Sequence, residues 1–176
     1  MTLDQLDAIA VSIGPGSFTG LRIGLSTAKG LSFALGKPVI AVPTFEAIAE
    51  AGRQKYPGMS SVVVLMDAKK GEWYVGGFLV EGERVKESGA VEIKVLEEAL
   101  SAAKTSTSLV LTDSVDVVRQ HLKENVVVED ALLCCRGNIV ASLGYRKAAR
   151  NEFADVAALE PMYLKDFIVR TALSTS

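Results

Sequence analysis

The sequence predicts an α/β fold, and the order of its elements supports this class. A short apolar strand, a glycine-rich turn and a long amphipathic helix follow one another over residues 7–36. A second strand and helix over residues 38–55 repeat this order, which is typical of a parallel sheet. From residue 62 the pattern changes to a β-meander that is followed by alternating helices and strands. With 49% hydrophobic residues, the 176-residue chain can build a core beneath these elements.

The first unit is a buried strand that leads into a long helix. Residues 14–17 break the strand, and Ser17 or Thr19 can cap the helix that follows. From Leu21 onward, apolar and small residues recur at three- and four-residue steps, until Gly36 ends the helix.

Turn-forming residues gather at residues 56–61, and this stretch is the candidate boundary between two lobes. We predict a partial N-terminal lobe over residues 1–57 and a C-terminal lobe over residues 58–176. The second lobe is predicted to contain a meander of strands, beginning with 62–66 and 72–80, then helices at 95–103, 115–123 and 138–150 and strands at 108–112 and 126–128.

Charge and targeting signals narrow the function classes. The 19 basic and 21 acidic residues leave a formal net charge of −2, so RNA contact must be local or supplied by a partner. No stretch approaches the roughly 20 apolar residues of a membrane span, and the start lacks the features of a secretory signal. We therefore expect a cytoplasmic protein without a membrane contact.

The cysteines and the histidine predict no metal site. Cys134 and Cys135 are adjacent, with no third cysteine, which fits neither a disulfide framework nor a zinc site and favours two core residues in a reducing compartment. His121 lies in a polar stretch without a matching nucleophile.

Residues 13–24, Ile-Gly-Pro-Gly-Ser-Phe-Thr-Gly-Leu-Arg-Ile-Gly, are the most informative motif. A helix start preceded by glycines can bind an anion, but the stretch lacks the lysine of a P-loop and the pattern of a dinucleotide site. A phosphate site and a purely structural turn both stay open. The possible anion contacts are Gly14, Gly16, Ser17, Thr19 and Gly20.

Together with residues 28–31 and 42–46, this motif resembles the signature of the TsaB family, also called YeaZ. Residues 66–74 resemble the family's Asp-Ala-Arg-x-Gly-Glu-Val-Tyr hairpin, and residues 159–164 its Pro-x-Tyr-Leu segment. The resemblance covers nearly the whole chain. It implies an actin-like ATPase (ribonuclease H-like) fold with an incomplete first lobe and a complete second lobe.

In this family the glycine-rich turn and its helix lie at the interface with the catalytic homologue TsaD or with a second TsaB in a homodimer. The resemblance therefore implies an interface formed by Phe18, Leu21, Arg22, Leu25, Ala28, Lys29 and Leu31. The residues themselves leave open that this face packs on the protein's own sheet.

Family members normally open with a strand, a hairpin, a third strand and a helix, none of which precedes Asp7 here. We expect a late-assigned start or a truncated product, with self-association as its consequence. In the superfamily that first hairpin holds metal and phosphate, whereas the later hairpin keeps Asp67 as a possible nucleotide contact. We therefore predict no catalytic residue and no cofactor for this chain alone, with ATP and a divalent metal belonging to partner subunits.

The resemblance implies a non-catalytic scaffold or activator of a threonylcarbamoyltransferase complex. It would bind a TsaD-type catalytic paralogue and a TsaE-type ATPase, meet tRNA indirectly through the complex, and form a homodimer in isolation. The alternatives are a glycoprotease-like peptidase and an actin-fold phosphotransferase. The first needs a nucleophile with a base or a metal, and the second needs the missing hairpin.

Overall fold

A computed structural model gives the structure of the chain and describes residues 2–103, 107–123, 126–131 and 136–164. The predicted α/β class is confirmed, because helices and strands alternate around two sheets. Cys134 and Cys135 lie outside the described residues, so their predicted core role stays a prediction. The strands are β1 (Ile9–Ser12), β2 (Val39–Val42), β3 (Ser61–Asp67), β4 (Glu72–Glu81), β5 (Arg84–Glu87), β6 (Glu92–Val95), β7 (Ser108–Thr112) and β8 (Val127–Asp130). The α-helices are α1 (Phe18–Leu35), α2 (Thr44–Lys55), α3 (Leu96–Ala99), α4 (Val115–Arg119) and α5 (Gly137–Ala148).

The first sheet consists of β1 and β2, which pair in parallel with Ile9 opposite Val39. Side chains alternate between the two faces of this sheet. On one face, Val11 and Val39 pack against α1. On the other face, Ile40 and Val42 pack against α5 and part of α2. The sheet is therefore covered on both sides, as its apolar sequence predicts.

The ends of α1 are fixed by local side chains. The Gly20 amide donates to the Ser17 hydroxyl at 3.3 Å, so Ser17 is the N-cap, and Thr19 lies within the first turn. At the other end Gly36 adopts a left-handed conformation with φ 63°, which closes the helix with a hydrogen bond to the Ser32 carbonyl. Both predicted helix bounds are confirmed.

The second sheet is mixed, with the strand order β5-β4-β3-β7-β8 and with β6 also paired to β4. The predicted meander is confirmed by the antiparallel pairs of β3 with β4 and of β4 with β5. Because β4 is ten residues long, β5 and β6 pair with its two halves in turn. The predicted helices at 95–103 and 115–123 are short: α3 continues as a 3-10 turn, and α4 ends at Arg119.

Helix α2 lies between the two sheets. Its Phe45 and Ile48 are buried against the second sheet, whereas Ala47 joins the cluster of β2 and α5. Near the end of the chain, α5 returns to the first sheet, where Gly144 lies against Ala10. The division into lobes of residues 1–57 and 58–176 stays a prediction. Helix α5, which belongs to the second range, packs on the first sheet.

Candidate interaction surface

The glycine-rich turn is held to the start of α2 by Thr44. The Gly14 amide donates to Oγ1 of Thr44 at 3.0 Å, and the Thr44 amide donates to the Gly14 carbonyl at 2.8 Å. The hydroxyls of Ser12 and Thr44 lie 2.6 Å apart. Gly14 itself has a φ of 113°, and a side chain there would meet Met162 and Leu21. These hydrogen bonds thus hold the β1–α1 turn against the connection between β2 and α2.

These contacts bear on the predicted anion site. Gly14 is buried, and its amide is already bonded to Thr44, whereas Gly16, Ser17, Thr19 and Gly20 are exposed at the start of α1. Asp67 lies at the end of β3 in the second sheet. Its carboxylate accepts hydrogen bonds from the amide and from Nζ of Lys69, each at 2.7 Å. An anion contact at these residues stays a prediction.

An aromatic and arginine cluster forms where α1 begins. The guanidinium of Arg22 lies 3.9 Å from the Phe18 ring centroid, and its Nε donates to the Tyr163 hydroxyl at 2.9 Å. The rings of Phe18 and Tyr163 are 5.3 Å apart. The adjacent Met162 amide donates to the Ile13 carbonyl at 2.7 Å, which fixes the C-terminal segment here. Stacking on a ring orients the guanidinium without removing it from solvent.

Tyr163 was not among the predicted interface residues, although it belongs to the recognised segment 159–164. The sequence signal was the motif itself. The contact between Tyr163 and Arg22 joins residues that are 141 positions apart, so no local sequence pattern could predict it.

Two predicted interface residues lie in the core instead. Leu25 and Ala28 are only 5% and 4% exposed, because they pack against Val11 and Val39 of the first sheet. Their side chains therefore contribute almost nothing to the exposed surface of α1, which argues against the predicted interface role at these two positions. Leu21, Lys29 and Leu31 are partly buried along the flanks of the helix.

The side of α1 that points away from the sheet carries exposed apolar residues that lie outside the predicted interface. Phe33 is 93% exposed and Ile23 is 63% exposed. The exposed small residues Ser26, Gly30 and Ala34 lie on the same side of the helix. We call these five residues the outer face of α1. The sequence contains a signal for this surface: at helical spacing, the apolar Phe33 does not fall on the same face as the other apolar residues of the helix.

Comparison with known proteins decides the family. The family model described as "TsaD: tRNA N6-adenosine threonylcarbamoyltransferase" matches residues 1–158. The Bacillus subtilis "tRNA threonylcarbamoyladenosine biosynthesis protein TsaB" is 30% identical over 172 residues, which cover 94% of this chain and 72% of that protein. The chain belongs to the TsaB family.

Solved structures agree with this TsaB membership. "YeaZ from Pseudomonas aeruginosa" superposes with a TM-score of 0.79 at 27% identity, over 93% of this chain and 76% of that one. The predicted actin-like fold is confirmed by this likeness. A TsaB protein from Haemophilus influenzae is 42% identical over 72 residues, which are 41% of this chain but 30% of that relative. The match thus spans less than two thirds of some curated TsaB relatives.

Two other kinds of site are absent from the described ranges of this TsaB-family chain. Within residues 2–103, 107–123, 126–131 and 136–164, no helix combines the length and the apolar character needed to cross a membrane. In the same ranges, no three His, Cys, Asp or Glu side chains come together as a group that could hold a metal ion.

Proposed function

We propose that this chain is a non-catalytic scaffold or activator subunit in the threonylcarbamoylation of the adenosine next to the anticodon of tRNA. It acts by binding a TsaD-type catalytic paralogue through the outer face of α1. The observation that carries this proposal is the exposure of Phe33 and Ile23 on a helix whose opposite side is buried. The curated relatives are named for tRNA threonylcarbamoyladenosine biosynthesis, which supports the same process here.

The energetic argument concerns apolar surface. Covering a side chain such as Phe33 or Ile23 stabilises a complex by roughly 1.5–3 kcal/mol before the costs of association. Gly30 and its small neighbours allow the backbone of a second helix to approach closely. At the start of the helix, Arg22 stacks on Phe18 and can donate to a partner at the edge of the same surface.

The proposal extends to the assembly. In isolation, a second copy would cover the same outer face in a two-fold homodimer. A TsaE-type ATPase would join the complex, and ATP and a divalent metal would belong to the partner subunits. We place this assembly in the cytoplasm.

Complex formation tests this function. The chain is mixed with a TsaD-type transferase, and the mass of the complex is measured by light scattering after size exclusion. Ile23→Glu and Phe33→Glu should each weaken the complex at least tenfold, since a buried carboxylate without a partner is costly. Val117→Glu is the matched control, because Val117 is a 44% exposed apolar residue on α4. Unchanged binding by both α1 variants would overturn the proposed docking surface.

A further inference from the structure

A charged cleft of about 270 Å³ lies where α2, α5 and the β4–β5 turn meet. Three acidic side chains, those of Glu46, Glu50 and Glu81, line it. Five basic side chains line it as well, namely those of Arg84, Lys86, Arg146, Lys147 and Arg150. The cleft therefore has a local excess of positive charge, although the chain as a whole carries a net charge of −2.

The floor of the cleft is formed around Glu50, which is 1% exposed. Its carboxylate accepts hydrogen bonds from Nη2 of Arg53 at 3.0 Å and from Nη2 of Arg146 at 2.8 Å. One carboxylate thus holds two guanidinium groups, of which that of Arg146 lines the cleft. Because the bond to Glu50 fixes Arg146, the remaining N–H groups of this arginine are oriented before any ligand arrives.

Lys147 is already paired inside the cleft, where its Nζ lies 3.3 Å from Oε2 of Glu46. The counterions of Lys86 and Arg150 are more exposed. Nζ of Lys86 lies 3.6 Å from Glu81, and the side chains are 69% and 57% exposed. Arg150 pairs with Glu152, another half-exposed carboxylate outside the cleft. Such exposed pairs are weak and exchange readily for a stronger anion. Among the described residues, Arg84 has no ion pair.

We propose that this cleft binds phosphodiester groups of an RNA backbone. The choice of RNA rests on the proposed function in tRNA modification. Arginine matches phosphate oxygens with paired donors, and fixed cations on several elements can follow a phosphate chain rather than a single ion. The net charge of the chain restricts RNA contact to a local surface, and this cleft provides one.

The cleft and the docking surface lie on opposite sides of the first sheet. Val11 and Val39 face α1, whereas Ala10 and Ile40 face the side covered by α5. An RNA bound in the cleft therefore does not compete with a protein bound to the outer face of α1. The two proposals can be tested separately.

The experiment measures binding of the full chain to an unmodified tRNA by fluorescence anisotropy, at salt concentrations from about 50 to about 200 mM. The test variant is Arg84→Gln with Lys86→Gln on β5. The matched control is Lys94→Gln with Lys123→Gln, which removes the same number of charges outside the cleft. We expect about a tenfold loss of affinity and a salt dependence shallower by about 1–2 units of slope for the test variant alone.

Three outcomes would overturn the proposal: no binding by the unmodified chain at about 50 mM salt, no loss in the test variant, or an equal loss in the control. Binding of inorganic phosphate at matched ionic strength is measured as well. A chain that binds inorganic phosphate but no tRNA would have a site for free phosphate instead of an RNA backbone. The test variant should still bind the TsaD-type partner, so failure of partner binding is measured independently.

Discussion

Nη2 of Arg146 lies 2.8 Å from Oε1 of Glu50, and this contact joins α5 to α2 across 96 positions of sequence. The same oxygen accepts hydrogen bonds from Arg53 at 3.0 Å and from Gln54 at 3.1 Å. Burial raises the pKa of Glu50, but the hydrogen bonds from Arg53, Gln54 and Arg146 outweigh it, so the pKa is lowered overall. Glu50 is therefore ionised in the folded protein at neutral pH.

Glu50→Gln should destabilise the protein by about 2 kcal/mol at pH 7, because charge-assisted hydrogen bonds are replaced by weaker ones. Urea unfolding measures the difference. Glu87→Gln, at an exposed position of β5, is the control and should change the free energy of unfolding by less than about 0.5 kcal/mol. Equal effects of the two substitutions would contradict the role of Glu50 in joining the helices.

Glu129 should make stability depend on pH in the acidic range. Hydrogen bonds from Lys55, Tyr56 and the Asp130 amide lower the pKa of Glu129 from 4.5 to about 2. The stabilisation from ionised Glu129 is therefore fully present above pH 4.5 and is lost as the pH falls toward about 2. Since Lys55 is 49% exposed, solvent screening reduces this contribution to about 1 kcal/mol.

The measurement compares the unmodified chain with Glu129→Gln in urea unfolding series from neutral to acidic pH. The difference in free energy between them should shrink as the pH falls below the ordinary pKa of a glutamate. A difference that stays constant with pH would show that Glu129 stabilises by packing rather than by its charge.

Gly144 should not tolerate a side chain. A Cβ at this position would lie 2.5 Å from the Cβ of Ala10, so α5 would have to move away from β1. Gly144→Ala should cost about 1–3 kcal/mol in thermal unfolding. Gly24→Ala on α1 is the control, since nothing lies within 4 Å of its Cβ position. It should be neutral or stabilising by up to about 1 kcal/mol, and similar losses for both would argue against close packing of α5.

Substitutions of Leu25 and Phe33, both on α1, should have different effects on the stability of the chain and on partner binding. Leu25→Ala opens a cavity beside Val11 and should cost about 2–5 kcal/mol of stability. Phe33→Ala removes a 93% exposed ring and should change stability by less than about 0.5 kcal/mol while weakening the partner complex. Thermal unfolding and light scattering measure the two effects. If the stability losses were reversed, the assignment of buried and outer faces would be wrong.

Local signals predicted the elements well where single residues determine the backbone. Ser17 and Gly36 act within one turn of the helix ends, so the bounds of α1 follow from the sequence. The predicted helix over residues 115–123 is too long, because α4 ends at Arg119. The chain continues in a turn, in which the His121 amide donates to the Val118 carbonyl.

The site was harder to predict because it depends on packing between distant segments. Helical spacing identifies an apolar stripe on α1, but it does not say whether that stripe meets the first sheet or a partner. The structure assigns Leu25 to the sheet and leaves Phe33 exposed. Similarly, Glu50 and Arg146 are unremarkable charges in sequence, and only the return of α5 brings them together.

The position of α2 between the two sheets should couple the unfolding of one sheet to that of the other. Phe45 is buried against one sheet and Ala47 against the other side, so neither sheet can melt without exposing an apolar flank of this helix. Cooperativity arises when separate parts of a core share an element in this way. We therefore expect the two sheets to unfold together in a single transition, while the division into two lobes stays a prediction. A partner that binds the folded chain would then stabilise both sheets and not only the helix that it contacts.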